Sequence, residues 1–105
     1  MEHGHSKSER RNLALHKVAF RNLRSDPGGG KLKLARLLEK WLNVPHLKRQ
    51  VPLLEEWRRI LELPIDRLET RVLGDSGQAL RQSSPMGVLI TPRERFEVYR
   101  EFLNV

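Results

Sequence analysis

The chain has no cysteine among its 105 residues. That excludes a disulfide framework, a thiolate zinc site, an iron–sulfur cluster and a cysteine nucleophile, and it makes a reducing cytoplasm the expected compartment. No apolar run approaches the roughly 20 residues that a bilayer span needs. The opening MEHGHSKSERRN carries no apolar signal core, so neither export nor membrane association is expected. Aromatic residues are few, at 2 Trp, 1 Tyr and 3 Phe, and they fall mostly at apolar-face positions. A stacking platform for single-stranded nucleic acid is therefore not written into the sequence. No segment alternates apolar and polar residues with the period of two that marks a half-buried strand. A chain of this length holds one core and buries roughly two-thirds of its unfolded surface, which excludes a two-domain cofactor enzyme.

What is present is helical periodicity cut into five or six pieces by Pro and Gly. The fold class is all-α, a small single-domain bundle of short helices, with residues 1–7 as a disordered tail and 8–105 as the helical domain. The first helix is expected from about Ser8 to Arg24, capped by Ser6 or Ser8, with Leu15, Val18, Ala19 and Leu23 on its apolar side. Asp26-Pro27 reads as an N-cap followed by Pro at the first helical position. Gly28, Gly29 and Gly30 should fray that start, each costing about 1 kcal/mol relative to Ala, so the secure part begins near Lys31. Leu34, Leu37, Leu38, Trp41 and Leu42 supply its buried stripe, and Pro45 stops it.

Pro52 starts the next helix, which carries Leu53, Leu54, Trp57, Ile60 and Leu61 at amphipathic spacing. Pro64 ends it. Asp66 then caps a short helix bearing Leu68, Val72 and Leu73, with Gly74 as a left-handed stop. A brief polar helix from Asp75 contains Ala79 and Leu80. Ser83-Ser84-Pro85-Met86-Gly87 is a turn, and Thr91-Pro92-Arg93-Glu94 is a capping box. The last helix starts at Pro92 with Phe96, Tyr99, Phe102 and Leu103 on its apolar side.

Charge is uneven. Residues 1–50 hold 12 Lys/Arg against 4 Asp/Glu, a balance of +8, whereas residues 51–105 hold 8 against 9, a balance of −1. The basic half is a candidate footprint for a polyanion. Arg10, Arg11, Lys17, Arg21, Arg24, Lys31 and Lys33 are the candidate nucleic-acid contacts, suited to phosphate rather than base reading. The alternatives are a solvated helix surface that serves solubility and an acidic partner protein.

Catalytic patterns are weak. Gly28-Gly29-Gly30-Lys31 lacks the strand and the Lys-Ser/Thr pair of a phosphate-binding loop, since residue 32 is Leu. His3 and His5 in a tail supply neither four ligands nor supporting bonds for a metal. His16 and His46 read as surface histidines. Ser83 and Ser84 lack a nucleophile-elbow context. Glu55 is placed to pair with Arg59, as exposed carboxylates on helices commonly do. The expectation is no enzyme, no catalytic residue, no metal and no cofactor.

The densest polar stretch runs from Leu80-Arg81-Gln82-Ser83-Ser84-Pro85 to Thr91-Pro92-Arg93-Glu94-Arg95. Arg81, Gln82, Ser83, Arg93 and Arg95 could form a partner-recognition surface at the start of the last helix. Alternatively they close the turn, with Arg81 and Gln82 bonding loose carbonyls and Arg93 and Arg95 pointing outward. A helix-turn-helix over Asp66 to Gln82 is a subsidiary reading, with Gln78, Arg81 and Gln82 as the side chains that could reach bases.

LRQSSP, a small apolar insert and TPRER followed by an aromatic, preceded by Trp57-Arg58-Arg59-Ile60-Leu61, resemble the tail of short, mostly uncharacterised bacterial helical proteins. The resemblance spans about residues 9–103 loosely. It implies an antitoxin-like regulatory partner and transfers no catalytic residue. The triple glycine and the histidine-bearing tail depart from the pattern. Two functions follow. One is a small bacterial regulator that binds a partner protein and touches nucleic acid through its basic half. The other is a protein-interaction module with no nucleic-acid role.

Overall fold

A computed structural model describes residues 6–103 as six α-helices joined by tight turns. They are α1 (Lys7–Ser25), α2 (Pro27–Leu42), α3 (Val51–Ile60), α4 (Ile65–Leu73), α5 (Gln78–Gln82) and α6 (Pro92–Glu101). Stretches of 3₁₀ helix cover Pro45–Gln50 (kinked at Leu47), Asp75–Gly77 and Met86–Leu89. No strand occurs among the described residues, so the chain is a small all-α bundle. Of the expected tail, residues 1–5, with His3 and His5, lie outside the described residues. Ser6 caps α1 by accepting from the Glu9 amide at 3.1 Å, and Lys7 is already helical. Among the described residues no helix is long and apolar enough to cross a membrane.

The long helix α1 is the hub, contacting α2, α4, α5, α6 and the Met86–Leu89 turn. Its buried residues are Leu15, His16, Ala19, Phe20 and Leu23, which recur every three to four positions as one helix face. Phe20 and His16 belong to that face where Val18 had been expected; Val18 is half-buried. Against them pack Leu34 and Leu38 of α2, Leu54, Trp57 and Ile60 of α3, Leu68 and Val72 of α4, Leu80 of α5 and Met86. Each large side chain fully withdrawn from water contributes about 1.5–3 kcal/mol. Trp57 also donates its indole N–H to the Leu80 carbonyl at 2.9 Å, so the core's largest side chain leaves no polar atom unsatisfied.

The glycines do not fray α2. Asp26 closes α1, its amide donating to Leu23 O at 3.2 Å, and caps α2, its carboxylate accepting from the Gly29 amide at 3.1 Å. The Gly30 amide reaches Asp26 O at 2.8 Å, so helical bonding begins at once. A Cβ on Gly29 would collide with the capping carboxylate, and one on Gly30 would sit 2.6 Å from Leu23 Cδ1. Gly30 is thus the position where a side chain is costly, because it would press on the fully buried Leu23, whereas at Gly29 the end of the Asp26 side chain can shift.

Other local expectations change. Gly74 follows α4 with φ −71°, an ordinary extended conformation rather than a left-handed one, while its amide donates to Thr70 O at 3.0 Å. It is glycine for space, because a Cβ would stand 2.7 Å from that carbonyl. Asp66 lies inside the first turn of α4, whose N-cap is Pro64. Glu55 pairs with Arg58 at 3.2 Å rather than with Arg59. In α6 the buried residue is Val98; Phe96, Tyr99 and Leu103, expected inside, face solvent.

Candidate functional site

The basic residues of α1 meet the acidic half of the chain. Arg21 pairs with Glu94 of α6 at 3.0 Å, and Arg24 pairs with Asp66 at 2.8 Å and Glu69 at 2.5 Å on α4. Arg11 lies over the Tyr99 ring at 4.7 Å. Lys31 donates to the Leu63 carbonyl at 2.7 Å. Four of the sequence-predicted phosphate contacts, Arg11, Arg21, Arg24 and Lys31, therefore also tie the bundle together. Arg10, Lys17 and Lys33 are exposed. The surface cations gather instead along α2 and the turn after it. Lys33, Arg36 and Lys40 fall on one exposed helical face, followed by Lys48 and Arg49. Residues 27–50 hold six Lys/Arg and a single acid, Glu39.

A second surface is apolar. Phe96 is 61% exposed and Tyr99 39%, at i and i+3 on α6, and Leu103, in the turn just after the helix, is 71% exposed. Arg100 stands 6.0 Å from the Phe96 ring, so arginines flank both aromatic faces. The helix beneath is firmly started: Thr91 accepts from the Glu94 amide at 3.1 Å while Glu94 accepts from the Thr91 amide at 2.9 Å. Glu94 also accepts from Asn22 of α1 at 3.0 Å. The Thr91 amide above all, with Asn22 and Arg21, holds the Glu94 carboxyl below its ordinary range.

The third feature is a cleft of about 160 Å³ between α1, the end of α5, the Met86–Leu89 turn and α6. It unites Arg81, Gln82 and Arg95 from the polar stretch with Asn12, Leu15 and His16 from α1, and with Ser84, Met86, Gly87 and Ile90. Ser83 faces a different hollow beside Trp41, and Arg93 points away, pairing with Glu97 at 3.7 Å. The five-residue recognition surface is thereby divided.

Arg81 is only 6% exposed. Its Nη1 donates to Val72 O at 2.6 Å and Gly74 O at 3.0 Å. The bonding of carbonyls expected of this residue is present. Asn12 Nδ2 donates to the Arg81 carbonyl at 3.2 Å. Arg95 makes a long 3.5 Å contact with Gly87 O.

His16, read from the sequence as a surface residue, is 5% exposed. Its Nδ1–H donates to Asn12 O at 2.8 Å, which leaves Nε2 as an acceptor, and that atom is buried with no partner. Burial, with a smaller push from Arg81, drives its pKa below 6.5 and keeps the ring neutral. The signal was in the sequence: His16 stands three, four and seven positions before Ala19, Phe20 and Leu23, on the core face. Among the described residues no group of three or more His, Asp or Glu side chains is placed to hold a metal ion. Comparison of the chain with protein-family models, with curated proteins and with solved structures finds no match.

Proposed function

We propose that the protein is a protein-binding module that docks a partner on α6, in the manner of the small regulatory, antitoxin-like proteins its LRQSSP–TPRER stretch resembles. One observation carries this: Phe96 and Tyr99 face outward from a helix whose start is fixed by a capping box, and Leu103 is exposed in the turn just beyond its end. Aromatic anchors rimmed by arginine are what binding surfaces concentrate. Arg11 and Arg100 beside the rings favour a partner that brings acidic side chains around an apolar face. The test is a pull-down from the native host with the wild type, the Phe96→Ser/Leu103→Ser variant and the Lys33→Glu/Arg36→Glu/Lys40→Glu variant. A partner retained by the wild type and the α2 variant but lost with the α6 variant is the expected result. Equal recovery by all three overturns the reading. Sedimentation of the purified chain separates a foreign partner from a second copy.

A second reading, nucleic-acid contact, is supported by the cations along α2 and the following turn. Lys33, Arg36, Lys40, Lys48 and Arg49 all face solvent. About five phosphate contacts give a log–log salt slope near −4.5 on duplex DNA. Absence of binding at low salt removes this reading and leaves the first intact.

A further inference from the structure

The cleft beside His16 is independent of the α6 stripe, and its chemistry is incomplete within the chain. Arg81 and Arg95 both line it, and no Asp or Glu does; Glu9 lies in the adjoining hollow, which Arg81 also lines. Arg81 has spent Nη1 on two carbonyls, while Nε and Nη2 make no hydrogen bond to a described residue. An oxyanion in the cleft would give this guanidinium a charge-assisted acceptor in addition to the two carbonyls. His16 lines the same cleft, and its ring has donated Nδ1–H to Asn12, so Nε2 can only accept. It is buried and unpartnered, and the neutral state of the ring preserves its lone pair. An anion alone would satisfy the arginines and leave Nε2 without a donor.

We propose that this cleft binds a small anion carrying an oxyanion and a hydroxyl on one molecule, the oxyanion on Arg81 and Arg95 and the hydroxyl donating to His16 Nε2. The size follows from the volume: a cavity of about 150 Å³ accepts a benzene-sized molecule of about six non-hydrogen atoms. Leu15, Met86 and Ile90 supply an apolar wall for its carbon part. A short hydroxycarboxylate and hydrogen phosphate share the required groups.

The experiment follows the His16 ring nitrogens by two-bond ¹H–¹⁵N correlation in the full chain, titrated separately with glycolate, hydrogen phosphate and acetate. Glycolate or hydrogen phosphate should move Nε2 saturably at millimolar concentration, and which of them does so identifies the oxyanion. Acetate, which lacks the hydroxyl, should bind at least about tenfold more weakly. Arg95→Gln, a change at a half-buried side chain with one long contact, should weaken binding about tenfold with the helical circular dichroism unchanged. His16→Phe, followed through the backbone amides of Asn12 and Gly87, which line the cleft, should make glycolate and acetate equivalent. If none of the probes moves Nε2 saturably, if acetate matches glycolate in the wild type, or if Arg95→Gln binds like the wild type, the proposal is overturned.

Discussion

Gly28 and Gly30 are the same residue type two positions apart in one helix, yet their surroundings give opposite predictions. An added Cβ at Gly28 meets nothing within 4 Å, whereas at Gly30 it sits 2.6 Å from Leu23 Cδ1, a fully buried side chain. Gly28→Ala should stabilise the protein by about 0.5 kcal/mol through helix propensity and unfolded-state entropy. Gly30→Ala should destabilise it by about 1–2 kcal/mol, because overpacking outweighs that gain. Chemical denaturation of the two variants checks the pair. His16 makes the second residue-scale prediction. Unfolded, it titrates near 6.5, and folded it titrates lower. Below pH 6.5 the unfolded chain takes up a proton that the folded chain refuses, so stability falls with pH until the folded pKa is reached. The slope contributed is at most about 1.4 kcal/mol per pH unit. Urea unfolding at about pH 7.5 and about pH 5.5 should show a loss that is smaller in His16→Leu, and equal losses in both proteins would contradict the assignment.

Among the elements, α6 shows how a correct boundary can carry a wrong face. Thr91, Pro92 and Glu94 announce the start locally, and the capping box is present. Which side of that helix meets the core depends on α1, and the contacts of Asn22 and Arg21 with Glu94 turn Val98 inward and the aromatic stripe outward. Thr91→Ala should cost about 1 kcal/mol and weaken protection of α6 amides first, measured by hydrogen exchange. Uniform loss of protection across all six helices would show instead that α6 does not open separately. In α2 the cap was legible in Asp26-Pro27, while the need for glycine was not, because Leu23, the residue it must clear, sits on another helix.

For the molecule as a whole, the excess of cations in the first half does not translate into one basic flank. Arg21 and Arg24 reach acids on α6 and α4, so part of the sequence asymmetry becomes inter-helix pairing. Exposed pairs of this kind are screened by water and salt and stabilise the fold little. Arg21→Ala/Arg24→Ala should therefore leave the fold intact and duplex DNA affinity nearly unchanged. Lys33→Glu/Arg36→Glu/Lys40→Glu should abolish that affinity if α2 is the contact surface. Fluorescence anisotropy at low salt distinguishes the two. A greater loss from the α1 variant would return the footprint to the first helix.

The helices, the N-caps of α1, α2 and α6 and most of the core were set by short-range physics that a chain reads from itself: apolar residues at three- and four-residue intervals, Pro27 and Pro92 at first helical positions, Thr91 three residues ahead of Glu94. Whatever depends on a neighbour from elsewhere in the chain was decided only on packing. The bundle buries His16, delivers Arg81 to Val72 and Gly74, gathers Arg95 beside them and leaves Phe96 outside. Periodicity states that a helix has an apolar side, but side chains of similar character compete for a limited interior, and the geometry of the other helices settles which of them water keeps.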